Sequence, residues 1–117
     1  TLPGDITLAV DSGPAAEEYG IDLTAEPIIV YGDGQGVYDK SVSDRLLACG
    51  RALGMSPQCA FWQSYGSDAS IPKAYGQTAQ AGLLCIATEN THGFEIIPKE
   101  GLEACVRVLG RYLEQPV

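Results

Sequence analysis

The stretch Leu83-Leu84-Cys85-Ile86-Ala87-Thr88-Glu89-Asn90-Thr91-His92-Gly93 joins a short apolar run to a polar turn. A run of this kind predicts a strand buried on both faces. The end of such a strand is where α/β proteins gather catalytic and metal-binding groups. His92 is the only histidine of the 117 residues, so any histidine-dependent chemistry of this chain must use it. A second strand with a polar end lies near the N-terminus, where residues 6–10 run into Asp11-Ser12-Gly13-Pro14.

Working outward, residues 12–26 carry Gly and Pro early and acidic residues later, which predicts a loop with at most a short helical turn. Pro27-Ile28-Ile29-Val30-Tyr31 predicts a strand apolar on both faces. Gly32-Asp33-Gly34-Gln35-Gly36 then predicts a tight connection. Its spacing is not the dinucleotide fingerprint, and no Gly-Lys-Ser/Thr follows, so a phosphate loop is the weaker reading. Residues 41–53 predict a helix capped by Ser41 or Ser43 and stopped by Gly54, with Val42, Leu46, Cys49 and Leu53 facing the sheet. Residues 58–63 predict a strand, and 69–75 a short helix. Residues 98–113 predict a last helix, with Pro98 in its first turn and Leu102, Cys105, Val106, Leu109 and Leu113 facing inward. Strands alternating with helices predict an α/β fold: a three-layer αβα arrangement with a mostly parallel sheet. In such a sheet the turns at Asp11, at Tyr65-Gly66-Ser67-Asp68 and at His92 share one edge.

Composition narrows the partners. The net charge of −8 argues against nucleic acid, which needs clustered Lys and Arg. No tract is long enough to span a membrane, and no signal peptide is visible. Cys49, Cys59, Cys85 and Cys105 lack metal-knuckle spacing and sit in apolar patterns. They read as reduced core thiols of a cytoplasmic protein. The acidic residues Glu17, Glu18, Asp22 and Glu26 suit a solvated surface, or attraction for a cation.

Asp11 and His92 are ligand types for zinc and similar divalent ions. Taken singly, neither is decisive, since a lone histidine is more often a hydrogen-bonded surface group. Asp68, followed by Ala-Ser, suits a helix cap as well as a binding role.

The run Ser64-Tyr65-Gly66-Ser67-Asp68-Ala69-Ser70, the strand ending in Thr91-His92-Gly93-Phe94-Glu95, and the final helix together resemble the C-terminal part of the glutamyl-aminopeptidase/cellulase-like family. These are the deblocking, or tetrahedral, dinuclear metallo-aminopeptidases. The resemblance covers about residues 6–113. Ser67-Asp68-Ala69-Ser70 matches the family's Gly-Thr-Asp-Ala-Gly-like turn, and Val10-Asp11 matches its strand ending in a metal-binding Asp. The patterns are most similar to the branch linked to osmoprotectant synthesis. The resemblance implies a zinc-peptidase-like (phosphorylase/hydrolase-like) catalytic domain, in which Asp11 binds one metal ion and His92 the other, while Asp68 lies in the loop lining the substrate pocket. It further implies two divalent ions, zinc or cobalt, a peptide substrate, and a homo-oligomer at full length.

The departure is large. The family also uses an N-terminal His on a His-x-Asp-like strand, a bridging Asp and a Glu-Glu pair, and a single histidine leaves no match for these. Residues 1–117 therefore read as one domain that is the C-terminal portion of a longer enzyme, with tight metal binding and catalysis not expected of this piece alone. The competing reading is a non-catalytic α/β module that binds a ligand or partner. A flavodoxin-like phosphate binder using Gly32 to Gly36 is the third.

Overall fold

The structure, a computed structural model, describes residues 1–114. The described elements are β1 (Ile6–Pro14), β2 (Ile28–Asp33), β3 (Gly36–Val37), α1 (Lys40–Ala52), β4 (Gln58–Phe61), α2 (Ser70–Ala74), β5 (Gln80–Thr88) and α3 (Lys99–Glu114). A 3-10 turn at Glu17–Tyr19 lies between β1 and β2. β1 is longer than expected and carries Asp11 within the strand rather than in a turn after it. Among the described residues no helix is long and apolar enough to cross a membrane.

The α/β class is as expected, and the strand directions follow from the connections. β1 runs parallel to β5, from Ile6 beside Gln80 to Pro14 beside Thr88. β2 runs parallel to β4 but antiparallel to β5. Parallel neighbours need a long crossover, usually a helix. α1 supplies one between β2 and β4. Between β1 and β2 only the short 3-10 turn intervenes, so β2 starts near the end of β1, with Ile28 and Asp11 both beside Cys85, and runs back. The glycine-rich stretch forms a β2–β3 hairpin, with Gly32 beside Val37.

Side chains alternate across the sheet. Ile29 and Leu84 face α1 and α3, where they pack with Val42, Leu46, Cys49, Cys105, Val108 and Tyr112. Ile28, Val30, Leu83 and Cys85 face the other way, against Ile21, Tyr38, Trp62 and Ala69 from loops. Burying each large aliphatic side chain contributes about 1.5–3 kcal/mol. Both faces are thus covered, which explains the uninterrupted apolar strands. One cover is helical and the other, apart from α2 and the 3-10 turn, is loop.

α1 presents Val42, Leu46 and Cys49 inward as expected, with Leu53 half-buried. Its C-terminus is a Schellman motif: Gly54 has φ +81°, its N–H donates to Arg51 O at 3.0 Å, and Met55 N–H donates to Gly50 O at 3.0 Å. The expected serine cap is absent. Asp39 holds the N-cap position, with its carboxylate drawn to Lys73 Nζ and Ala81 N–H instead.

Two expectations are corrected. The buried stripe of α3 is Gly101, Cys105, Val108 and Tyr112. Leu102, Val106 and Leu113 are 52%, 62% and 72% exposed, and Leu109 is half-buried. The inward face passes through Gly101, where an added Cβ would stand 3.3 Å from Ile86 Cγ2, so it is set by a close approach rather than by the bulkiest residues. Among the cysteines, Cys59 is exposed, and only Cys49, Cys85 and Cys105 are core thiols. Burial pushes the Cys105 thiol up to about 11, and also raises Cys85 and Cys49, which keeps them protonated and inert.

Candidate active site

The loop-covered face carries the site. Two glycines permit approaches that any side chain would block. A Cβ at Gly13 would stand 2.7 Å from Cys85 Cβ and 2.9 Å from Trp62 Cη2, so only glycine lets the indole pass under the end of β1. A Cβ at Gly34 would stand 2.7 Å from the Tyr65 carbonyl oxygen. There the Gly34 N–H donates to that oxygen at 3.0 Å, fastening the loop after β4 to the β2–β3 hairpin.

These contacts draw three distant segments together. A cavity of about 110 Å³ is lined by Asp11, Ser12 and Pro14 of β1, by Asp33, by Trp62, Tyr65 and Gly66, and by Thr91 and His92. Asp11 and His92, the two metal-ligand candidates, therefore line one cavity. Both are exposed at it. Asp11 Oδ1 accepts the Ser12 N–H at 2.7 Å. His92 sits in the loop closed by Glu89 and Ile96, whose N–H and C=O groups pair at 2.9 and 3.0 Å.

Tyr65, Asn90 and His92 are the non-glycine residues with left-handed backbone among those described, at φ +75°, +59° and +67°. Such conformations cost of order 1 kcal/mol each and concentrate at functional loops. Tyr65 and His92 line the cavity itself. A neighbouring depression of about 350 Å³ shares Pro14, Tyr65 and Thr91 with it and adds Glu18, Tyr19 and Glu89. Tyr19 and Tyr65 meet hydroxyl to hydroxyl at 3.1 Å, and Tyr65 packs edge-on against Trp62.

Asp68 is exposed and is not among the residues lining the cavity. The cap reading falls to its neighbour. Ser67 Oγ accepts the Ala69 and Ser70 N–H groups at 3.1 Å, and Ser67 N–H donates to Ser70 Oγ at 2.9 Å. This reciprocal pair is a capping box with serine in the acidic position.

Asp33 was legible only as part of a turn, yet it lines the cavity while being 5% exposed. Its Oδ1 accepts the Gln35 N–H at 2.9 Å, and its Oδ2 accepts the Tyr38 hydroxyl. Burial, and then the bond to Asp33, raise Tyr38 well above its ordinary value, so it remains a donor. With its one proton given to Asp33, Tyr38 accepts from Ser67 Oγ at 2.7 Å. The chain Ser67–Tyr38–Asp33 thus ties the capped loop to the floor of the cavity. The flanking Gly32 and Gly34 were its one sequence signal. Trp62 also escaped the sequence reading. Its indole N–H is buried with no hydrogen-bond partner among the described residues.

The donor set suits a divalent ion in kind and falls short in number. Asp11 offers oxygen and His92 nitrogen, whereas a catalytic zinc takes about three protein ligands. Among the described residues no group of three or more His, Cys, Asp or Glu side chains is placed to hold one ion.

A family model for M42 glutamyl aminopeptidase matches residues 1–108. The chain belongs to the M42 glutamyl aminopeptidase family. This M42 chain is similar in fold to an aminopeptidase from the archaeon Desulfurococcus kamchatkensis, with TM-score 0.87 and 19% identity over 97% of this chain and 35% of that one. It is also similar to the TET1 peptidase of Pyrococcus horikoshii, which can assemble into a tetrahedron or a large octahedral shell, with TM-score 0.80 and 20% identity over 97% and 34% of the two chains. A TET aminopeptidase from a marine sediment Thaumarchaeota archaeon gives TM-score 0.82 and 14% identity over 95% and 33%. The M42 chain spans about a third of the length of each of these structures. No curated protein sequence matches it.

Proposed function

We propose that this chain forms the C-terminal part of a metal-dependent aminopeptidase, which removes N-terminal residues from peptides with a water activated by two metal ions. The observation that carries this reading is that Asp11 and His92, far apart in sequence, line one cavity. Membership of the M42 family supports it. Asp11 holds one ion, zinc or cobalt, and His92 holds the other. Asp68, exposed beside the Tyr65-Gly66 wall, meets the substrate at the rim rather than in the cavity. Two donors cannot complete two sites, so the chain is inactive alone, and the remaining ligands and the base come from further polypeptide. The assembly of the TET1 peptidase supports a homo-oligomer for the full-length protein. Cysteines not joined in disulfides suit a reducing cytoplasm.

The test is hydrolysis of aminoacyl-p-nitroanilides by the full-length protein with and without a chelator. Activity that the chelator abolishes and added zinc or cobalt restores is expected. Chelator-insensitive activity contradicts the two-metal mechanism, and an inactive metal-replete protein contradicts the aminopeptidase.

A further inference from the structure

The cavity of about 110 Å³ at Asp11 and His92 and the depression of about 350 Å³ beside it share Pro14, Tyr65 and Thr91 as walls. Ligand sites commonly hold about 300–1,000 Å³. The first space falls below that range alone and within it once joined to the second. Of the shared walls, a proline ring is fixed and a threonine is short, so Tyr65 is the side chain whose rotation can join them. Tyr65 is 38% exposed, which leaves its ring room to turn towards solvent. Its backbone is held during such a turn, because the Tyr65 carbonyl accepts the Gly34 N–H at 3.0 Å. The ring itself is held lightly. It packs edge-on against Trp62 and Tyr19, and its hydroxyl meets the Tyr19 hydroxyl at 3.1 Å in an exposed position. A bond of this kind contributes little net stability, because water can replace it.

We propose that Tyr65 is a gate between the two spaces, latched shut by the Tyr19 hydroxyl. With the latch made, the ring stands between the Asp11–His92 cavity and the depression beside Tyr19 and Glu89. With the latch broken, the ring turns outward about its Cα–Cβ bond and the two spaces become one. The turn also withdraws Tyr65 from Trp62, which is 3% exposed with the gate closed. The use of the gate, admitting a ligand to Asp11 and His92, rests on the aminopeptidase reading. The gate itself rests on Tyr65 and Tyr19.

The chain itself can be tested, because Trp62 is its only tryptophan. Tyr19→Phe and Tyr65→Phe each remove one hydroxyl and keep both rings. Both break the same bond, so each should raise the open-to-closed ratio about two- to ten-fold, and the double variant no further than either. Acrylamide quenching of Trp62 reads the opening, and it should be greatest in Tyr65→Ala, which has no ring to close. Side-chain couplings of Tyr65 in NMR read the rotation, with one dominant rotamer in the parent and averaging in Tyr19→Phe. Parent-level quenching in Tyr65→Ala or Tyr19→Phe, additive effects in the double variant, or a single Tyr65 rotamer in Tyr19→Phe overturns the gate. Averaged couplings already present in the parent overturn the latch. None of these results bears on the chelator assay of the full-length protein, so the gate and the aminopeptidase reading fail separately.

Discussion

The two faces of the sheet are built in different ways. The helical face buries Ile29 and Leu84 under regularly spaced residues of α1 and α3. The loop face buries Ile28, Val30 and Cys85 under Trp62, Tyr38 and Ala69, drawn from segments with no shared periodicity. The first face gives the molecule most of its regular packing. The second gives it a cavity, strained loops and a buried carboxylate. A fold can thus place its stability on one side of a sheet and its chemistry on the other.

The sharpest way to break this contrast is to damage the helical face alone. Leu46→Ala should cost about 2–5 kcal/mol in urea unfolding, because Leu46 is fully buried between α1 and the sheet. Gly13→Ala acts on the other face. The added methyl meets Cys85 and the Trp62 ring, so a cost of about 1–3 kcal/mol is expected, together with altered fluorescence of the only tryptophan. Unchanged fluorescence in that variant contradicts the close passage of Trp62 beneath β1.

Asp39 joins the two faces and gives stability a pH dependence. Burial disfavours its charge, but the bonds from Lys73 and the Ala81 N–H outweigh this and lower its pKa in the folded state. A lowered carboxylate stabilises the fold fully above its unfolded pKa, and that contribution is lost as pH falls through the folded value. Asp39→Asn should therefore cost about 1–2 kcal/mol at neutral pH and flatten the acid limb of a stability–pH curve. The smallest effect is expected at Val106, where Val106→Ser should change stability by less than about 0.5 kcal/mol. Val108→Ser, two positions on and fully buried, should be clearly destabilising.

These cases show what was legible in the sequence. Periodicity found α1 and the buried strands, because their inward faces are made of bulky apolar residues. It misplaced the inward face of α3 because Gly101 and Tyr112 occupy it while Leu102, Val106 and Leu113 do not. Asp11 and His92 stood out as metal-ligand residue types near the ends of apolar strands. Asp33 and Trp62 did not, since their roles depend on approaches across the sequence that Gly13 and Gly34 allow. The opposed direction of the two strand pairs was likewise hidden, because it follows from how little helix lies between β1 and β2.

In the proposed enzyme, Asp11 and His92 serve different ions in one site. The most direct test is the metal content of the full-length protein, counted per chain for the parent, Asp11→Ala and His92→Ala, together with aminopeptidase activity. Two ions in the parent, one in each variant and loss of activity in both is the predicted result. Two ions retained in both variants, or undiminished activity in either, contradicts it.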